Sequence, residues 1–167
     1  MLNSYRFKLA DLSLIFLTLF YIMMLGGGCY EQLTVTNLVT SAPPKSLYIL
    51  QGPFGFKPMI FWIIFRPITI ILFLFAIVIN WKYPRRKLLL FAFVIDLITT
   101  VATFTYFAPE TGVIAGATYH ADTIDPALLE RAQLWRNLNW IRVGGFCIGS
   151  ILLLIANGQK PAQSGNY

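Results

Sequence analysis

At 167 residues, 57% hydrophobic and 12% charged, with mean hydropathy +0.66, the chain is too apolar for a soluble domain of its size and reads as an integral membrane protein. Its net charge of +6 would suggest nucleic acid in a soluble protein, but here the basic residues have a topological use and no nucleic-acid partner is expected.

Four apolar runs are long enough to span a bilayer, at residues 12–29, 59–81, 88–108 and 135–156. They predict an all-α fold, a four-transmembrane-helix bundle forming a single membrane domain over residues 1–158, with a disordered cytoplasmic tail at 159–167. The first run is too long for a signal peptide, because LSLIFLTLF continues through YIMMLGGGC, so it is read as a retained helix. That helix is expected to pass the glycines at 26–28 and to stop at Pro43 and Pro44, its last turns protruding from the membrane. The connection SAPPKSLYILQGPFGFKP is rich in aromatics and turn residues, which suits a segment at the interface or folded into the bundle mouth, and equally a plain surface loop.

Lys82, Arg85, Arg86 and Lys87 fill the short loop after the second span. With Arg6, Lys8 and Lys160 on the same side, the positive-inside rule places both termini in the cytoplasm of a plasma (inner) membrane protein. The fourth helix has a clear start, Asp125 as N-cap and Pro126 at the first helical position. From Pro126 to Ala156 it would run about 46 Å, longer than the roughly 30 Å hydrocarbon core, so the first and fourth helices are both expected to extend beyond the outer surface.

Charges inside these runs are the main functional signal, since an ionic group in hydrocarbon is costly without a partner or a wet cavity. Arg66 and Arg142 lie about 10 to 12 Å below the outer ends of their runs. Glu31 and Glu110 stand at the outer ends of the first and third runs, near enough in depth to pair with those arginines. Trp62 with Arg66, and Trp135 and Asn139 with Arg142, fall at helical spacing on one face. Asp96, Thr100, Thr103, Phe107 and Glu110 form a similar polar track on the third run. These residues give a site in which Arg66, Asn139, Arg142, Trp62 and Trp135 bind a ligand and Glu31 and Glu110 balance charge or act as a base. The alternative use of the four ionic residues is register-fixing ion pairs that bind nothing.

Cys29 and Cys147 are single cysteines without a CxxC pair and read as small packing residues. His120 is the one histidine, in a long loop with Asp122 and Asp125, and it lacks the further ligands a metal site needs; that loop reads as exposed or as a lid. No phosphate-binding loop, nucleophile elbow or HExxH motif occurs, and neither a metal nor a cofactor is expected.

The segments TFTYFAPETGVI and LWRNLNWIRVGG, with Trp135, Asn139 and Arg142 in the second, resemble the anthrone-oxygenase-like family of small membrane proteins. Gly28 and Tyr30 echo that family's glycine-rich first helix. Where the family has an asparagine two residues after the proline of the third helix, this chain has Thr111, with Glu110 directly after Pro109. The resemblance implies a small hydrophobic ligand and an oxidoreductase-like activity without metal or flavin, although fold-level kinship does not transfer chemistry.

The functional expectation is therefore an integral membrane protein binding a small hydrophobic molecule or lipid with a polar or anionic head, in an outward-opening charged pocket. The rival is a non-catalytic subunit or assembly factor whose aromatic-rich faces, with Phe61, Phe65, Phe73 and Phe75 around one helix, pack on a membrane protein partner.

Overall fold

Long apolar segments cross a bilayer as helices because a helix satisfies its own backbone N–H and C=O groups. The computed structural model describes residues 2–119 and 122–159, which are all-helical with no strand among them. His120, Lys160 and the tail beyond it lie outside the described residues, as does the side chain of Arg6.

Helix α1 comprises Leu2–Tyr30 and runs on through a π-helical segment, Glu31–Thr36, and a last turn, Asn37–Val39. Helix α2 is Met59–Ile79. Helix α3 begins as Arg86–Ala102, widens into a second π-helical segment, Thr103–Phe107, and finishes as Ala108–Ala115. Helix α4 is Pro126–Gly158. All four are long and apolar enough to cross a membrane.

Asp125 caps α4 as expected, its carboxylate accepting from the backbone N–H groups of Ala127 (2.9 Å) and Leu128 (3.2 Å). At 33 residues α4 is about 50 Å long. The third helix is longer than the expected run to residue 108. Pro109 does not end it, because the proline falls in the first turn after the π-helical segment, where its missing N–H matters least. Residues Thr111 to Ala115, expected in a loop, are therefore helical.

Consecutive helices are neighbours: α1 packs on α2 and α4, α3 packs on α4, and α2 meets α3 less extensively. Leu14, Leu17, Tyr21, Met24, Phe73 and Phe146 fill the middle of the bundle. A second cluster, with Val35, Val39, Phe107, Ile114 and Trp135, closes the Glu31 end. Leu47, from a short 3-10 turn at Lys45–Ile49, is fully buried in that cluster, so the connection between α1 and α2 folds into the bundle mouth. Asp125 donates its backbone N–H to the Pro43 carbonyl at 3.1 Å, which ties this connection to the start of α4.

At the other end, one of the four basic loop residues has a structural role. Arg85 is buried and donates to Asn80 Oδ1 and Asp11 Oδ1, each at 2.6 Å, while Asn80 donates to the Ala10 and Ala76 carbonyls. The loop is thereby stapled to α1, and Lys82, Arg86 and Lys87 stay exposed.

Gly149 shows how closely α4 approaches α1. A Cβ at that position would stand 2.6 Å from the Tyr21 ring, and Tyr21 is fully buried. Gly149→Ala is expected to cost about 1–3 kcal/mol by overpacking, read as a lower melting temperature in mild detergent. Gly112→Ala, where a Cβ meets nothing within 4 Å, is expected to stabilise by about 0.5–1 kcal/mol through helix propensity.

Candidate functional site

Polar side chains between the helices form two tiers. In the deeper tier Arg66 donates through Nη1 to Asp96 Oδ1 at 2.6 Å, and its Nη2 lies 3.3 Å from Thr99 Oγ1. Its guanidinium also lies 4.9 Å from the Phe146 ring centroid. Asp96 is fully buried, and the Tyr21 hydroxyl lies beside it. Arg66 thus takes its counter-charge from α3, where the sequence suggested Glu31 or Glu110.

The second tier centres on Arg142. Its Nη1 donates to Thr103 Oγ1 at 3.3 Å, and its guanidinium carbon lies 4.8 Å from the Phe107 centroid and 5.5 Å from that of Trp62. Among the described residues no carboxylate touches it, and its Nε is buried without a hydrogen-bond partner. Glu31 acts on Arg142 only through space; its Oε2 accepts from Trp62 Nε1 at 2.6 Å. Trp62 therefore touches both charged groups, one through its edge and one through its ring.

The remaining expected site residues have structural partners. Asn139 is buried and donates to Gln32 Oε1 at 2.6 Å, while Gln32 Nε2 donates to the Arg136 carbonyl at 2.6 Å. Trp135 Nε1 donates to the Phe107 carbonyl at 3.2 Å. Glu110 sits at the rim of the bundle in a bidentate pair with Arg131, far from the two inner arginines' contacts. Asp96, Gln32 and Tyr21 were absent from the expected site. Asp96 was visible as a carboxylate inside an apolar run, whereas Gln32 and Tyr21 carried no signal that separated them from ordinary packing.

Both π-helical segments lie at the Arg142 tier. Thr103 opens one of them and Phe107 closes it, and Glu31 opens the other. Such wide turns cluster at functional sites, where they re-aim side chains and free backbone groups.

Cavities lie around the tier among the described residues. The one at the Glu31 end, between the helix ends and the α1–α2 connection, is about 50 Å³. A groove of about 730 Å³ lies between α3 and α4, walled by Ile95, Ile98, Ile141 and Ile148, with Gly144 and Arg142 on the α4 side. A cavity of about 400 Å³ lies between α1 and α2 with Glu31 in its wall. No group of histidine, cysteine and carboxylate side chains suited to a metal occurs among the described residues. No protein-family model matches the chain, and neither curated proteins nor solved structures provide a match.

Removing one partner of a buried pair strands the other charge. Asp96→Ala is expected to cost about 3–5 kcal/mol in detergent unfolding, or to abolish folding. Glu110→Gln at the solvated rim should leave the melting temperature nearly unchanged, and equal effects of the two variants would sink the distinction between the tiers.

Proposed function

We propose that this integral membrane protein binds a hydrophobic molecule with a polar or anionic head, held by Arg142 and reached from the bilayer through the α3–α4 groove. One observation carries the reading: a guanidinium with a buried, unpartnered Nε stands in the wall of a large apolar groove. An arginine in hydrocarbon without a counter-ion is costly, and an anionic or hydrogen-bond-accepting head would relieve that cost. Arg66 is neutralised by Asp96, and Asn139 and Trp135 hold α4 in register, so the head-binding role falls on Arg142 alone. The small size of the cavity at the helix ends favours a lateral entrance over an outward-opening mouth.

Trp135, Asn139 and Arg142, which carry the likeness to the anthrone-oxygenase-like family, share one stripe of α4, and this supports the same hydrophobic ligand class. A reaction is a further step. Glu110 is engaged by Arg131, and Glu31 lines a different cavity from Arg142, so the geometry favours binding over base catalysis. The topology we propose is both termini cytoplasmic in a plasma (inner) membrane, with the exposed basic residues of the 80–85 end inside and the Glu31 end outside.

Native mass spectrometry of protein gently extracted from its own membrane tests the site. The wild type is expected to carry a small molecule that Arg142→Gln loses. Gly144→Leu is expected to lose it too, because a Cβ at Gly144 meets nothing within 4 Å and the longer side chain fills the groove. Retention by both folded variants would refute the site, and an empty groove with a stoichiometric protein partner would favour the subunit reading. For topology, a cysteine at Lys82 in a chain lacking Cys29 and Cys147 should react with an impermeant maleimide only after the cells are opened. Labelling in intact cells would reverse the orientation.

A further inference from the structure

The cavity between α1 and α2 has the opposite chemistry from the Arg142 groove. Its wall carries Glu31 and four aromatic side chains, Tyr30, Phe56, Phe61 and Trp62. Trp62 uses only Oε2 of the carboxylate, so Oε1 is left without a hydrogen-bond donor. A carboxylate among aromatic rings selects cations, because the ring quadrupole attracts positive charge and the carboxylate supplies the counter-charge. An anionic head would be repelled, and a neutral one would gain little from the ring faces.

We infer that this cavity is a second binding site, for the ammonium head of a cationic amphiphile. The amphiphile is argued from the neighbouring sequence: Met23, one turn before Gly27 on α1, and Ile60, Ile63 and Ile64, adjoining Phe61 and Trp62 on α2, are exposed, so a bound head group has apolar helix surface near it for a tail. At about 400 Å³ the cavity exceeds what a metal ion would occupy, and its wall supplies no second carboxylate for one. Gly26 and Gly27 leave the α1 side bare; a Cβ at Gly27 would strike the Phe61 ring at 2.7 Å, whereas one at Gly26 meets nothing within 4 Å. Position 26 can therefore be filled without displacing a neighbour.

The site is distinct from the Arg142 groove, since it lies between the other pair of helices and presents the opposite charge. The test probe is dodecyltrimethylammonium, offered to the protein in a neutral maltoside detergent and followed by native mass spectrometry, with melting temperature as the folding control. Wild type is expected to retain one equivalent, and Glu31→Gln to weaken retention about tenfold or more, the loss of one charge-assisted contact. Gly26→Leu is expected to weaken it similarly by filling the cavity, and Gly112→Ala, away from the cavity, to leave it unchanged. Retention undiminished in both Glu31→Gln and Gly26→Leu would overturn the site. Equal binding of dodecyl sulfate that Gly26→Leu loses would overturn the charge selectivity, and equally tight binding of tetramethylammonium would overturn the need for a tail. If Glu31→Gln does not fold, Tyr30→Ala at an exposed position removes one ring of the cage, and undiminished retention there would count against it.

Discussion

A bilayer offers no hydrogen bonds, so a polar side chain carried into the apolar layer must be answered by its own helix, as the threonines are, or by another one. The Arg66–Asp96 pair is the strongest such constraint. It joins α2 to α3, the adjacent helices that otherwise meet least, and it sets their relative height. Thr99 adds to the guanidinium from the same helix, and Phe146 of α4 lies against it. Tyr21 of α1 stands beside Asp96 in the space that Gly149 leaves open. All four helices thus converge on one buried pair, and a change in any of them is felt there. Such a pair is weak evidence for stability, because apolar residues of similar volume often do as well; its use here is to define one height and one facing for four smooth helices.

Above that level the backbone itself departs from regular helix. Residues 31–36 and 103–107 are wound as π-helix, which accommodates the bridge from Gln32 to Asn139 and the Arg136 carbonyl, and turns the Phe107 carbonyl toward Trp135. These bonds lock α4 against α1 and α3 at the tier where Arg142 stands. The arginine is therefore held in position by its neighbours' contacts while its own Nε remains unpartnered.

The same irregularity explains what sequence reasoning could and could not see. Length and hydropathy identified four helices, and the Asp125–Pro126 pair located the start of α4, because those signals depend on composition and on local capping chemistry. The burial of Arg66, Asn139 and Trp135 followed from regular spacing on α2 and α4, which keep an undisturbed helical period. On α3 the stripe from Asp96 through Phe107 to Glu110 assumed that period throughout. The π-helical segment lengthens the turn, so the prediction drifts beyond it and Glu110 comes to face Arg131 at the rim. Asp96 lies on the same stripe, one helix away from Arg66, and sequence spacing within single helices carries no information on which carboxylate of another helix meets that arginine. Gln32 lies within the other π-helical segment and could not be assigned to the interior by periodicity alone.

The pattern of pairing is itself informative. Arg66 with Asp96, Arg85 with Asp11, and Arg131 with Glu110 show that the chain builds direct contacts between opposite charges at three heights in the bundle. Glu31 and Arg142 depart from this pattern, since they feel one another through space and each touches Trp62, yet they do not meet. A pair whose purpose was packing would be joined, because leaving each member without a direct counter-charge forfeits the attraction while keeping the desolvation cost. Each of the two lines a separate cavity of several hundred cubic ångströms, on opposite sides of the bundle. The separation is costly for folding alone, and it is what two sites of opposite charge preference would require.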